Sequence, residues 1–352
     1  MHFLAMAAGL VLFPAGILLL LGRATARGGR LFTELASVAY IALIACVAEI
    51  TGASYILFPE LGALAHDVFG RPQGRWARSP VLLTLTPVLT AAVGTLITRH
   101  LSYGLASVLL SVGCALLVIR LLKSPVAPAI SAGLLPLALG VSSWWYPPAV
   151  LFGAAVLAGL SVLRARLFTL PERPVPLRTI GSPPTSTRRS LDTYFWLPWF
   201  VLFLLAAYAA VVATGWRFLL YPPLVVIGFE MLAHTDRCPW SRRPLLLSLV
   251  CVLTASGGMG FFVLFGAGPL AAAASMAFGV AVLRITDLHV PPALAVGLLP
   301  LIIGRPTPWY PVAVGLGTLI LSICFLLYQR TALSLGNSLL LPQAAESGAG
   351  DD

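Results

Sequence analysis

Two arginines, Arg120 and Arg284, close apolar segments at equivalent places in the chain (284 − 120 = 164). Each lies one or two turns before a proline-led segment, which begins near Pro125 in one case and near Pro291 in the other. Guanidinium groups and helix N-termini both attract negative charge, so this arrangement suits the binding of a small anion. The alternative is that both arginines anchor helix ends by extending toward the membrane surface. The sequence leaves both interpretations open.

Prolines at the same spacing continue each segment, Pro128 and Pro136 in one and Pro292 and Pro300 in the other. A proline has no backbone N–H, so it leaves a carbonyl group without its helical donor one turn earlier. Such carbonyls either line a polar pathway or are satisfied by neighbouring groups. We therefore count Pro128 and Pro292 among the candidate substrate-binding residues.

Two carboxylates, Asp67 and Glu230, also align (230 − 67 = 163), and each lies near the end of an apolar run. Ionisable groups inside apolar segments are costly and invite a functional hypothesis. A carboxyl group there suits proton coupling, and a structural ion pair with an arginine of the same half is the equal alternative.

His289 and its neighbour Asp287 have no counterparts in the first half, where the place of His289 is taken by Pro125. A histidine titrates near neutral pH and is suited to gating or coupling transport. It can also be a helix-end residue that bonds backbone groups freed by prolines. We list His289 as a substrate-binding candidate and Asp287 as a coupling candidate.

The amino-acid composition indicates that this chain is surrounded by lipid. Hydrophobic residues make up 59% and charged residues 10%, and the mean hydropathy is +0.95. Many runs reach the roughly 20 apolar residues that a membrane helix needs. We predict a multi-pass membrane protein whose main partner is the lipid bilayer.

Several functional classes lack their signatures. There is no GxSxG elbow, Walker A loop, HExxH motif or Cys/His ligand set, so no enzyme, cofactor or metal site is predicted. The net charge of +10 lies in loops and one linker, and the sequence holds no nucleic-acid motif.

A repeat organises the apolar runs. Segments 120–147 and 284–311 align without a gap and are identical at 13 of 28 positions. After a first helix, each half reads as six apolar segments, of which the second and fifth are short and interrupted by proline. An even number makes the halves enter the membrane in the same direction, as parallel repeats do.

The predicted fold is all-α: a polytopic transmembrane bundle of two parallel internal repeats with Pro-broken short helices, plus one extra N-terminal helix. The predicted order is an N-terminal helix with a cytoplasmic loop (1–30), membrane repeat 1 (31–168), a cytoplasmic linker (169–193), membrane repeat 2 (194–328) and a disordered tail (329–352).

Arginine-rich loops alternate with loops that hold few arginines. The positive-inside rule places the N-terminus outside and the C-terminus in the cytoplasm of a cell-membrane protein. Trp145, Tyr146, Trp309 and Tyr310 then lie near the outer surface, where they are expected to act as interfacial anchors.

The segment 288–295, Leu-His-Val-Pro-Pro-Ala-Leu-Ala, resembles the signature of the HPP family of integral membrane proteins. The family's signature is an uninterrupted His-Pro-Pro, whereas here Val290 intervenes. Further resemblance lies in Arg243-Pro244 before a glycine-containing helix, and it covers about two thirds of each half. Some family members are linked to nitrite movement across membranes, so the resemblance implies a transport role.

Together these features predict a passive or proton-coupled transporter, or a channel, for a small polar solute. A small anion such as nitrite is favoured, with its pathway between the two repeats. The alternative is a membrane-embedded enzyme, or an accessory or structural subunit, that acts on lipid or on a partner protein. A homo-oligomer is left open.

Overall fold

The computed structural model describes residues 14–23, 29–168 and 195–338, with side chains up to residue 332. All regular structure in these ranges is helical. The predictions for the start of the first helix, for the linker 169–193 and for the end of the tail lie outside the described residues.

The first half begins after a short helix, α1, at Pro14–Arg23. Its six helices are α2 (Arg30–Thr51), α3 (Glu60–Gly70), α4 (Pro80–His100), α5 (Leu105–Leu121), α6 (Ala129–Leu139) and α7 (Tyr146–Leu167).

The second half has six helices in the same order of long and short members. They are α8 (Trp196–Thr214), α9 (Pro222–Ala233), α10 (Pro244–Phe265), α11 (Pro269–Thr286), α12 (Pro292–Leu298) and α13 (Tyr310–Ser338). The last helix continues past residue 328, where the sequence predicts the start of the tail.

Seven of these helices are long and apolar enough to cross a membrane: α2, α4, α7, α8, α10, α11 and α13. The prediction of an all-helical, multi-pass membrane protein is confirmed at this level. α5, with 17 residues, is shorter than these seven helices.

The four shortest helices of the two halves, α3, α6, α9 and α12, form the centre of the bundle. Nearly every residue in them is buried. α3 of the first half packs against α12 of the second, and α6 packs against α9. Because each half contributes one helix to each of these contacts, the halves interlock and cannot separate as independent domains.

Close backbone contact holds the short helices α6 and α12 to long neighbours. A methyl group at Gly94 of α4 would overlap the carbonyl oxygen of Gly133, and one at Gly258 of α10 would overlap that of Gly297. The two contacts join residues at the repeat spacing of 164 (258 − 94 and 297 − 133). Small residues of this kind let membrane helices approach closely.

Two of the proline-interrupted segments are not continuous α-helices. The second apolar segment of the first half begins with a 3₁₀ turn, Ser54–Ile56, and becomes α-helical only at Glu60. α12 ends at Leu298, and Pro300 lies in a 3₁₀ turn, Leu299–Leu301. In α6 the equivalent Pro136 stays inside the α-helix.

The two ends of the bundle differ in the residues that their loops contain: one is rich in basic residues and the other in aromatic residues. The basic end contains the loops at 71–79, 122–128, 234–243 and 287–291, and the aromatic end contains the loops at 101–104, 140–145, 215–218 and 304–309.

Candidate functional site

A cavity of about 510 Å³ opens at the aromatic end between the two halves. Both halves contribute to its walls at equivalent places. Its lining includes Ser54, Tyr55, Ala138 and Leu139 of the first half, and Arg217, Phe218, Ile302 and Ile303 of the second. Each of the first four stands 163 or 164 residues before its partner in the second set, so the cavity lies where the equivalent segments face each other.

Arg217 is the one charged residue among those described in the cavity wall. Its guanidinium lies 4.7 Å from the centre of the Tyr103 ring, and its Nη1 donates a hydrogen bond of 3.4 Å to the carbonyl of Ala138. These contacts hold the cation at the cavity while leaving it exposed. A cation in a largely apolar wall favours entry of an anion over a cation.

Tyr310 lies between the cavity and the interior of the bundle. It lines the cavity, is only 1% exposed, and interacts electrostatically with the carboxyl group of Glu60. Tyr146 of the first half has the same burial and the same interaction with Glu60. Both tyrosines were predicted to be interfacial anchors, and that prediction is wrong because both are buried.

The hydroxyls of these tyrosines satisfy the carbonyls that the prolines free. Tyr146 donates to the carbonyl of Ala132 at 3.1 Å, and Tyr310 donates to that of Val296 at 2.7 Å. Both acceptors stand four residues before a proline of the repeat. The neighbouring Trp145 and Trp309 are 78% and 58% exposed, as expected for anchors.

Glu60 is the most deeply buried carboxylate in the described part of the chain, with 1% exposure. It is the first residue of α3, and Ser131, in the first turn of α6, donates a hydrogen bond to its Oε1. Its other oxygen, Oε2, is buried and has no hydrogen-bond partner. The N-terminal ends of α3 and α6 therefore meet at one carboxyl group in the middle of the bundle.

A cluster of ionisable side chains around Asp67 lies at the basic end. Asp67 is 3% exposed and accepts a hydrogen bond from Arg71, one turn further on. His289 of the second half places its Nε2 3.5 Å from the Asp67 carboxylate, without hydrogen-bond geometry. The His66 ring lies 6.0 Å from that of His289. Asp67 and His289, both predicted as site residues, thus meet across the interface between the halves.

His289 is neutral in this setting. Burial lowers its pKa from the ordinary 6.5 to about 4, and the positive charges of Arg71 and Arg30 act in the same direction.

A second ion-pair group joins α2 to α11 at the same end. Glu34, 5% exposed, lies 3.0 Å from Arg30 and 3.5 Å from Arg284. Arg284 is half exposed and contacts this carboxylate of the first half. Arg120, its repeat partner, lies exposed in the last turn of α5.

The remaining predicted residues occupy helix ends. Glu230 of α9 lies 3.2 Å from His234, the residue that directly follows this helix, without hydrogen-bond geometry. Asp287 is exposed and adopts a left-handed conformation after α11, with φ of 46°, and Lys123 does the same after α5, with φ of 51°.

Pro128 directly precedes α6, and Pro292 is the first residue of α12. Both are buried. They thus lie at the N-terminal ends of two of the central helices.

The site residues that the sequence did not predict share one property: none aligns with a residue of the same chemistry in the other half. Glu60 aligns with Pro223 and Ser131 with Ala295, at offsets of 163 and 164. A comparison that looks for charged residues at equivalent positions of the two halves does not find them. The usable signal is a glutamate, Glu60, that lies within an apolar segment, where an ionisable group is costly.

Comparison with protein-family models, with curated proteins and with solved structures found no match to this chain.

Proposed function

We propose that this chain is a membrane transporter or channel for a small polar solute, with its pathway between two parallel repeats. The observation that carries the proposal is the cavity at the aromatic end. It is lined by equivalent segments of both halves and reaches Tyr310, which interacts electrostatically with the buried carboxyl group of Glu60. A solute path on the axis between repeats is the usual arrangement in transporters built by duplication.

Several contacts that recur at the spacing of 164 support the parallel repeats. The tyrosine-to-carbonyl bonds of Tyr146 and Tyr310 are one such pair. The contact of Gly94 with Gly133 has the same counterpart, and so has the left-handed residue that follows α5 and α11. With the same order of helices in each half, these contacts favour a two-fold axis along the membrane normal through the cavity.

A small anion is the favoured solute, and nitrite the favoured anion. Arg217 gives the cavity a positive charge, and short helices with buried N-terminal ends lie further in. Helix N-termini favour negative charge. The resemblance of residues 288–295 to the HPP signature points to nitrite.

The ion-pair groups at the basic end are compatible with a transport cycle. The Asp67 and Glu34 groups join the first half to the second through His289 and Arg284. A solute that enters from the cavity leaves when these contacts separate. With the basic end in the cytoplasm, as the positive-inside rule predicts, the cavity of this proposed transporter opens to the outside.

The test is uptake of nitrite, nitrate, formate and chloride into proteoliposomes, with and without a pH gradient. We expect saturable uptake of nitrite by the parent protein. Arg217→Gln should raise the half-saturating concentration about tenfold, because it removes a charge-assisted contact. Arg305→Gln is the control, since Arg305 is exposed near the aromatic end and does not line the cavity.

The Arg120→Ala/Arg284→Ala double variant tests the two matched arginines. Loss of uptake with retained folding would make them part of the pathway, and unchanged uptake would leave them as helix anchors. No flux of any of the four anions through folded parent protein would overturn the anion proposal. It would favour a membrane-embedded enzyme or an accessory subunit instead.

A further inference from the structure

The centre of the bundle contains a carboxyl group that lacks an ionic partner. Glu60 is 1% exposed, and no cationic side chain among the described residues lies within 4.0 Å of its oxygens. Every other buried carboxylate in that part of the chain, Glu34 and Asp67, is paired with an arginine. Glu60 is therefore the exception that needs an explanation.

The groups that face Glu60 are polar and uncharged. Ser131 of α6 donates to its Oε1, and the hydroxyls of Tyr146 and Tyr310 interact with it while donating to backbone carbonyls. Tyr40 of α2, a helix that packs against α3, donates its hydroxyl hydrogen to the carbonyl of Gly153 in α7. α12, which packs against α3, has no titratable residue. Such surroundings hold a neutral acid easily and a carboxylate only with the help of helix N-termini.

The oxygen of Glu60 that has no hydrogen-bond partner determines which ligand the site can bind. Glu60 Oε2 is buried, has no hydrogen-bond partner and is the place where a proton can be held. A hard metal cation would need about six oxygen ligands, whereas this site offers one carboxyl and one serine hydroxyl. The proton is the ligand that matches a single carboxyl group.

We propose that Glu60, held by Ser131 where α3 and α6 meet, is a proton-binding site that couples solute movement to proton movement. The inference rests on the proposed transport function. The carboxylate takes up one proton from water reaching it on one side of the membrane and returns it to water on the other. Protonation removes one negative charge beside Tyr310, so it changes the electrostatic cost of an anion in the neighbouring cavity.

The asymmetry of the halves supports a single coupling site. Pro223 and Ala295 stand at the equivalent places in the second half and cannot hold a proton. One proton per transport cycle follows.

Glu60→Gln is the first test, because glutamine keeps the shape and the acceptor for Ser131 but cannot exchange a proton. Because glutamine holds the site in its uncharged state, nitrite exchange without a gradient should persist but lose the pH dependence that it has in the parent protein. Accumulation driven by a pH gradient should fall about tenfold or more, the range of ordinary coupling energies. Glu49→Gln is the matched control, since Glu49 is exposed near the end of α2. Gradient-driven accumulation by Glu60→Gln equal to that of the parent would overturn the coupling.

Infrared spectroscopy provides a readout that needs no transport. The carbonyl stretching band of a protonated carboxylic acid should weaken as pH rises in the parent and in Glu49→Gln, and be absent from Glu60→Gln. Ser131→Ala, the milder variant, should shift the pH at which the band disappears. A band assigned to Glu60 that does not change with pH would overturn proton binding. If the parent moves no solute but the band titrates, the proposed function fails while proton binding at Glu60 stands.

Discussion

Tyr310 donates its hydroxyl hydrogen to the carbonyl oxygen of Val296 over 2.7 Å. Val296 stands four residues before Pro300, which has no N–H to offer it. The side chain of the long helix α13 therefore completes the hydrogen bonding of a broken helix in the centre of the bundle. Tyr146 does the same for Ala132, four residues before Pro136. In both halves a proline creates an unpaired carbonyl, and a tyrosine 10 residues later (310 − 300 and 146 − 136) satisfies it.

Tyr310→Phe should therefore destabilise the protein although it removes a single oxygen. The Val296 carbonyl would remain buried without a donor, at a cost of about 1–3 kcal/mol of unfolding free energy. Thermal unfolding in detergent measures the change. Tyr103→Phe is the control, because the Tyr103 hydroxyl is buried without a hydrogen-bond partner. Equal melting temperatures for Tyr310→Phe and Tyr103→Phe would show that the Val296 bond contributes nothing.

Gly258→Ala should damage the packing of α10 on α12. The added methyl group would overlap the carbonyl oxygen of Gly297, which is backbone and cannot turn away. Overpacking of this kind costs about 1–3 kcal/mol. Gly260→Ala, two residues further along the same helix, meets nothing within 4 Å and should be neutral or stabilising by up to about 1 kcal/mol. The measurement is the fraction of monodisperse protein after heating, and a Gly258→Ala protein as heat-resistant as Gly260→Ala would refute the close contact.

The pH dependence of stability should reveal the buried His289. Its folded pKa of about 4 lies below the ordinary 6.5, so unfolded chains take up the proton first as the pH falls. This contribution is therefore fully present above about pH 6.5 and is lost as the pH falls toward about 4, by at most about 1.4 kcal/mol per pH unit. Melting temperatures across this range measure it.

His289→Asn should flatten that slope without removing it, since the buried His66 and the charged Asp67, Arg71 and Arg30 remain. His100→Gln, at an exposed position near the other end, should leave the slope unchanged. A parent protein whose stability does not change between these pH values would contradict the burial of His289.

The long apolar helices could be predicted from the sequence because each needs only a run of hydrophobic residues. The partners across the two halves could not. Arg284 meets Glu34, and His289 meets Asp67, through packing of α2 and α3 on the second half, which no local pattern encodes. The choice of repeat-matched charges also led away from Glu60, because coupling in this proposal depends on a residue that only one half carries.

The two tyrosines show a similar limit. Their place next to exposed tryptophans, at the start of a long helix, is typical of membrane anchors. The prolines that free the carbonyls are visible in the sequence. The 14 residues that separate Tyr310 from Val296 (310 − 296) become a contact only when the start of α13 is placed against α12.

Arg164 gives a last prediction, on how the short helix α3 ends. It is 5% exposed near the end of α7, and its Nη1 donates a hydrogen bond of 2.7 Å to the carbonyl of Phe69. That carbonyl is one of the last four of α3, which have no donor within the helix. Arg164→Gln shortens the side chain and should leave the carbonyl unpaired, at a cost of about 1–3 kcal/mol of unfolding free energy.

Arg166→Gln is the matched control, because Arg166 is exposed in the last turn of the same helix. Thermal unfolding in detergent should separate the two variants, with Arg164→Gln alone melting at lower temperature. Since α3 carries Glu60 at its start and Asp67 near its end, the same variant should also weaken gradient-driven nitrite accumulation. Equal melting temperatures for the two variants would show that α3 ends without help from α7.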